Sequence, residues 1–240
     1  MKQGKKAVVW FTEVTKNDIP IVGGKGANLG EMTNAGIPVP PGFIVTAAAY
    51  FDFIQKNALE DKIRALLEPL DVRDSRKLQQ AAEKVQALVK DAPMPPATGK
   101  AIEEAYAKMG KGLVAVRSSG TAEDLPEASF AGQQATFLNI QGGKNVVEAV
   151  HGCWASLFGA RAIFYRQEQG FDHFKVGIAV PVQRMVQSES SGVMFTVEPT
   201  RNDKGKIIIE AVLGLGEMIV SGDVTPDHYV IGKKDVKILE

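Results

Sequence analysis

The sequence predicts an α+β fold, with a mainly helical first part followed by mostly antiparallel strands. Before residue 110, apolar residues recur at helical spacing in several successive segments. Beyond that point, short apolar runs are separated by turn sequences such as R-N-D-K-G, which is typical of antiparallel strands. No internal repeat or low-complexity linker interrupts this pattern.

The first part of the chain begins with a predicted strand at residues 7–11. A loop at residues 18–24 follows and runs into the sequence G-G-K-G. The prolines of the segment 37–46 exclude a helix there, so we expect it to run extended, with a strand at residues 43–45. The predicted helices cover residues 27–35, 47–56, 59–67, 74–90 and 99–109, the last after a proline-rich break at residues 92–98.

The second part of the chain combines strands with one long predicted helix. A short apolar strand at residues 113–116 leads directly to Arg117 and a loop rich in Ser, Gly and Thr. The long helix is predicted over residues 146–169, where apolar residues form one face. The remaining predicted strands cover residues 136–140, 177–186, 192–196, 206–213, 228–231 and 236–239.

The composition is that of an ordinary globular protein and excludes several classes. The 240 residues are 45% hydrophobic and 23% charged, and 28 basic residues balance 28 acidic ones. This balance argues against a general binder of nucleic acid or of anionic membranes. The apolar run near the N-terminus is too short for a signal peptide, and no stretch approaches a membrane span, which predicts a cytoplasmic protein. The strand-like end at Glu240 predicts a piece of a longer protein.

The stretch from residue 114 to residue 133 is the most informative in the chain. It reads V-A-V-R-S-S-G-T-A-E-D-L-P-E-A-S-F-A-G-Q, so a strand presents Arg117 among hydroxyls and glycines. A planar guanidinium with neighbouring hydroxyls and backbone N–H groups suits a polyphosphate, because the guanidinium binds two oxygens at once. An exposed loop with a solvated arginine is the alternative interpretation.

Three other segments supply groups suited to a nucleotide. The G-G-K-G sequence places Lys25 at the start of a helix, where an anion is favoured, although the spacing is not that of a Walker A loop. The small-residue segment S-F-A-G-Q contains Gly132 and leads into the strand that begins at Thr136. Gln183 lies in an apolar strand that offers an amide to the edge of a purine. Each segment alone is equally consistent with a turn or an ordinary core strand.

The sequence indicates no metal site and no catalytic nucleophile. Glu198, Glu210 and Glu217 lie near apolar strands, but they form no tightly spaced acidic pair. The three histidines have no metal-ligand spacing to one another or to Cys153, which is the only cysteine and cannot form an intrachain disulfide. The G-x-S-x-G sequence of serine hydrolases is also absent. We therefore predict no metal ligands in this chain.

Seven stretches within residues 8–231 are informative as a set: G-G-K-G-A-N-L-G-E-M, I-P-V-P-P-G-F, the arginine stretch from V-R-S-S-G to F-A-G-Q, C-W-A-S-L-F-G-A-R-A, V-P-V-Q-R-M-V, S-G-V-M-F-T and G-L-G-E-M-I-V-S-G. Taken together, they resemble the N-terminal nucleotide-binding domain of the phosphoenolpyruvate synthase and pyruvate phosphate dikinase family, and the synthases more than the dikinases. One departure is Gly120, where synthases usually have alanine; it is expected to loosen the loop without abolishing binding.

The resemblance implies an ATP-grasp-type domain over residues 1–240, incomplete at its C-terminus, with rough lobes at residues 1–111 and 112–240. It also implies roles for the residues singled out above. Two of them, Lys25 and Arg117, would bind the ATP phosphates and act in phosphoryl transfer. The others implied to contact ATP are Gly132 and Thr136 on the phosphate side and Gln183 near the adenine.

The resemblance further implies a multidomain enzyme that uses ATP and Mg²⁺. Members pass the β-phosphoryl group of ATP to a histidine on a separate domain, with release of AMP and phosphate, and then to pyruvate on a barrel domain. Those domains and the family's Mg²⁺-binding carboxylates lie beyond residue 240, so we expect the chain alone to be inactive in turnover. The alternatives are the ATP-binding domain of a rifampin-type antibiotic phosphotransferase and a stand-alone nucleotide-binding module without catalysis.

Overall fold

A computed structural model describes residues 6–121 and 135–240 and confirms the predicted α+β class. The helices are α1 (Ile19–Asn34), α2 (Ala47–Lys56), α3 (Leu59–Leu67), α4 (Ser75–Asp91), α5 (Pro96–Lys108), α6 (Gly143–Ser156), α7 (Ala160–Glu168) and α8 (Glu217–Ser221). The strands are β1 (Val8–Trp10), β2 (Gly42–Val45), β3 (Val114–Arg117), β4 (Ser119–Gly120), β5 (Thr136–Ile140), β6 (Ile178–Arg184), β7 (Ser190–Phe195), β8 (Lys206–Leu213), β9 (Asp227–Gly232) and β10 (Lys237–Ile238). No helix in these two ranges is long and apolar enough to cross a membrane.

The chain divides into a first compact unit that ends at Met185 and a second that covers Val186–Glu240. Strands of the first unit pair in the order β1-β2-β6-β3-β5, with β4 also on β6, and those of the second in the order β10-β9-β8-β7; all these pairs are antiparallel. The predicted lobe boundary at residues 111 and 112 differs from this division. The reason is that β3, beyond that boundary, shares a sheet with β1 and β2.

The two faces of the first sheet are covered by different layers. On one face, Val114, Val116 and Val182 join a large apolar core with residues of α2 to α7. Because side chains alternate along a strand, their neighbours in sequence lie on the other face. There, Ile44 and Ala179 pack with α1 in a second apolar cluster. The face that carries α1 is therefore also the face of Arg117, which follows Val116.

Several helix boundaries differ from the prediction, and prolines and glycines explain the differences. The first helix begins at Ile19 instead of residue 27, and α5 begins at Pro96 inside the predicted break, because a proline in the first turn has no N–H to leave unpaired. The predicted helix over residues 146–169 is two helices, α6 and α7, with Gly159 extended between them. Two elements, β4 and α8, are too short for sequence patterns to indicate.

Candidate functional site

Strand pairing fixes the position of Arg117, the last residue of β3. It lies directly opposite Thr136 of β5, and on the other side of β3, Ala115 lies opposite Gln183 of β6. Residues opposite one another in antiparallel strands point to the same face, as do residues two apart in one strand. Arg117, Thr136 and Gln183 therefore share one face of the sheet. Arg117 and Gln183 are half-buried and Thr136 is exposed, so a ligand can reach all three.

The first helix brings Lys25 to the same region. Its backbone bends at Gly23, where φ is 68° and ψ is 172°, and Lys25 follows two residues later. The bend lies against Ser119, so that a Cβ on Gly23 would be 2.2 Å from the Ser119 Oγ. The backbone N–H of Gly26 donates a hydrogen bond to that same Oγ, at 3.3 Å. Since Ser119 follows Arg117 by two residues, these contacts bring the Lys25 and Arg117 segments together.

Hydrogen bonds on two sides hold the segment that follows Arg117. The N–H and the hydroxyl of Ser118 both donate to the carbonyl of Ala135, at 3.0 and 3.1 Å, and Ala135 directly precedes Thr136. The N–H and hydroxyl of Thr121 donate to the carbonyl of Gly177, at 3.0 and 3.1 Å, and the Gly177 N–H donates back to the Thr121 hydroxyl at 3.0 Å. Residues 118–121 are therefore held at both ends by these hydrogen bonds.

The side chain of Gln183 contacts the proline-rich segment that precedes β2. Its Nε2 donates a hydrogen bond to the carbonyl of Pro40, at 3.2 Å, which fixes the orientation of the amide. Opposite Gln183 in the register lies Gly42, where a Cβ would be 2.4 Å from the ring of Phe11. The glycine of the I-P-V-P-P-G-F stretch therefore lets β2 approach that ring closely.

Four of the five predicted site residues lie together: Lys25, Arg117, Thr136 and Gln183 belong to α1 and to the sheet face beside it, whereas Gly132 lies outside the described residues. The two serines that follow Arg117 have a role that the sequence interpretation missed. Sequence reasoning treats their hydroxyls as ligand donors, but in the structure these hydroxyls connect β3 with β5 and α1.

The acidic residues considered as metal ligands all belong to the second unit. Glu198 contacts Lys206 with 3.2 Å between Oε2 and Nζ, and Glu210 lies opposite His228 with 3.8 Å between Oε1 and Nδ1. Glu217 begins α8. Across residues 6–121 and 135–240, no group of three or more His, Cys, Asp or Glu side chains is suited to hold a metal ion.

A buried polar pair is formed by Arg166 of α7 and His173, which follows that helix. The Arg166 side chain is fully buried; its Nε donates to Nδ1 of His173 at 2.8 Å, and its Nη2 donates to the carbonyl of Leu157 at 2.6 Å. Burial lowers the pKa of Arg166 to about 10, so it remains charged at neutral pH. Burial, together with the nearby Arg166 charge, lowers the pKa of His173 to about 4.

This pair predicts a loss of stability in mild acid. The unfolded chain protonates His173 near pH 6.5 and the folded chain only near pH 4. Stability therefore falls as the pH drops through this window, since the unfolded state binds more protons. We expect a loss of about 2 kcal/mol, less than the full shift gives because the imidazole is not wholly desolvated. Urea unfolding between pH 7 and pH 4 measures it.

Acidic groups elsewhere also titrate in this range, so a variant must isolate the histidine. In His173→Asn, the amide oxygen still accepts from Arg166 but the side chain no longer titrates. The difference in unfolding free energy between wild type and this variant should change with pH in the same window. A difference that stays constant from pH 7 to pH 4 would contradict the assignment.

These features define a class of domain: an α+β unit that gathers a lysine, an arginine and an amide on one sheet face, beside a helix bent at a glycine. Such groups suit a phosphorylated nucleotide. Residues 19–240 match the family described as "Pyruvate phosphate dikinase, AMP/ATP-binding domain", and the chain belongs to this family. The predicted resemblance is therefore confirmed.

The relatives carry consistent names. The chain is 53% identical to a "Probable phosphoenolpyruvate synthase" of Methanocaldococcus jannaschii, over 98% of the chain and 20% of the relative. It is 47% identical to a "Phosphoenolpyruvate synthase" of Pyrococcus furiosus, over 97% of the chain and 33% of the relative. It is 49% identical to the "Phosphoenolpyruvate synthase" of Aquifex aeolicus, over 96% of the chain and 28% of the relative. The chain thus spans between a fifth and a third of the length of these relatives.

Proposed function

We propose that the sheet face carrying Arg117 and Thr136 binds the phosphates of ATP, together with Lys25. The observation that carries this proposal is the contact of α1 with Ser119, two residues beyond the end of β3, which brings a lysine and an arginine from segments far apart in sequence into one region. Phosphoryl transfer depends mainly on positioning and on neutralising phosphate charge, and these two cations are suited to that task. Gly132 is proposed to join them on the phosphate side, as the family resemblance implies.

We propose that Gln183 contacts the adenine at the other end of the ligand. The backbones of Gln183 and Arg117 are about 8 Å apart, since they are separated by two residues along the strand direction and by one strand across the sheet. This separation lets the two side chains reach different parts of one nucleotide. The hydrogen bond from Gln183 to Pro40 holds the amide in a fixed orientation, which suits recognition of a base edge.

For the whole protein, we propose the activity that the relatives' names state, phosphoenolpyruvate synthesis. In this scheme ATP, pyruvate and water give AMP, phosphoenolpyruvate and phosphate in the cytoplasm, through a phosphohistidine on a further domain and a pyruvate-binding barrel. The names of the relatives favour this activity over an antibiotic phosphotransferase or a stand-alone nucleotide-binding module. We propose Mg²⁺ as the cation that accompanies ATP, and among residues 6–121 and 135–240 we assign it no ligand.

Calorimetric titration of the chain tests the proposed ATP site. We expect saturable binding of Mg-ATP at one site, and binding of adenosine at least tenfold weaker, because charge-assisted hydrogen bonds to the phosphates supply much of the affinity. Equal affinity for ATP and adenosine would contradict phosphate recognition by this face. A folded chain that binds neither ligand would contradict the proposal that these residues form the ATP site.

A further inference from the structure

The serine two residues after Arg117 lies where the helix carrying Lys25 meets the sheet. We propose that Ser119 is a positioning residue that sets the distance between Lys25 and Arg117. Ser119 is fully buried, so we infer that its hydroxyl acts on the ligand through α1. The inference rests on the proposed function, because it explains how two phosphate-binding side chains are held at the spacing that one ligand requires.

A hydrogen bond keeps the helix from moving away from the sheet. The Gly26 N–H donates to the Ser119 Oγ at 3.3 Å, between residues separated by 93 positions. Gly26 directly follows Lys25 and lies in the first turn after the bend at Gly23. The hydroxyl therefore holds the backbone next to Lys25. An alanine at position 119 would leave this buried N–H without that acceptor.

A steric contact prevents the helix from moving closer. A Cβ on Gly23 would be 2.2 Å from the Oγ of Ser119, 2.4 Å from its carbonyl oxygen and 2.7 Å from its carbonyl carbon. Two of these three atoms are backbone, so the stop does not depend on the serine side chain alone. The hydrogen bond and the contact together define one distance between α1 and β4.

The sheet end of this connection is held by strand pairing. Ser119 lies opposite Ala179 in the pairing of β4 with β6, and Gly120 lies opposite Ile178. Both Ala179 and Ile178 are buried. A shift of Ser119 would therefore require β4 to leave its partner strand. The position of Lys25 relative to Arg117 is consequently set from the sheet and transmitted through the serine hydroxyl.

A double-mutant cycle tests whether Ser119 acts through Lys25. Mg-ATP affinity is measured by calorimetry for wild type, Ser119→Ala, Lys25→Ala and the double variant. We expect Ser119→Ala to weaken binding about tenfold, the usual effect of one lost buried hydrogen bond. In the Lys25→Ala background, the same change is expected to cost less than twofold, because there is no lysine left to position. A merely structural role predicts an equal loss in both backgrounds.

Two further measurements use no ligand, and a matched variant serves as the control. Native-state hydrogen exchange of the Gly26 amide should be faster in Ser119→Ala, whereas Ser156→Ala should leave it unchanged. Ser156→Ala also removes a hydroxyl that makes a hydrogen bond, the 2.7 Å bond from Oγ to the Cys153 carbonyl. Ser156 lies in α6, so this control leaves the Gly26 contact intact. Thermal melts of all variants establish that each is folded.

The outcomes separate the inference from the function on which it rests. If Lys25→Ala binds Mg-ATP like wild type, the proposed phosphate site is wrong and the inference is overturned with it. If Lys25→Ala weakens binding but Ser119→Ala does not, or if the two losses add, only the inference is overturned. Unchanged exchange at Gly26 in Ser119→Ala would also overturn it.

Discussion

Replacing Arg117 with alanine is expected to weaken Mg-ATP binding by about 100-fold. Arg117 pairs with Thr136 on the accessible face of the sheet, and a fork of two charge-assisted hydrogen bonds to phosphate is worth about 3 kcal/mol. Calorimetric titration of the variant with Mg-ATP measures the loss. The fold should persist, because the apolar core faces the other side of β3.

Two control variants make this result specific to the Arg117 guanidinium. Arg117→Lys keeps the charge but not the fork, so its affinity should lie between those of wild type and Arg117→Ala. Arg73→Ala removes an arginine whose side chain is 82% exposed and is expected to bind Mg-ATP like wild type. A folded Arg117→Ala protein with wild-type affinity would contradict the proposed site.

Replacing Gly23 with alanine is expected to lower the free energy of unfolding of the first unit by about 3 kcal/mol or more. The same change is expected to weaken ATP binding. The backbone there has φ 68° and ψ 172°, a conformation that residues other than glycine rarely adopt. The added Cβ would also overlap Ser119, including its backbone carbonyl. Either the bend straightens or α1 moves off the sheet, and both changes displace Lys25. Urea unfolding measures the loss of stability.

Gly170→Ala is the control for an alanine at positive φ that has no close neighbour. Gly170 has the same φ of 68°, but nothing lies within 4 Å of a Cβ built there. Its substitution should therefore cost only about 1 kcal/mol, the usual penalty for a residue other than glycine at positive φ. If Gly23→Ala costs no more than Gly170→Ala, the close approach between α1 and Ser119 does not constrain the fold.

Much of the local structure could be predicted from the sequence, because its signals are local. The helix over residues 47–56 is predicted and observed with the same bounds, since Thr46 caps it and apolar residues repeat at helical spacing. The strand over residues 136–140 is likewise observed as predicted. The errors fall at prolines and glycines, as at Pro96 and Gly159, where one residue is compatible with either continuing or ending a helix.

The relation between distant segments could not be predicted, because no periodic pattern encodes it. The order β1-β2-β6-β3-β5 places Gln183 on the strand next to that of Arg117, and the register adds an offset of two residues along the strand. The contact of Gly23 and Gly26 with Ser119 joins residues more than 90 positions apart. The family resemblance predicts which side chains contact ATP, and the structure adds the contacts that relate the segments carrying them.

Amide NMR spectra recorded while the chain is titrated with Mg-ATP test the central claim most directly. The claim is that one nucleotide spans the sheet face from Gln183 to Arg117, next to Lys25. We predict the largest shifts at Lys25, Arg117, Thr136 and Gln183, with small changes in α4 and α5 on the opposite face. Saturable shifts that leave these four amides unchanged, and cluster elsewhere in the chain, would contradict the account.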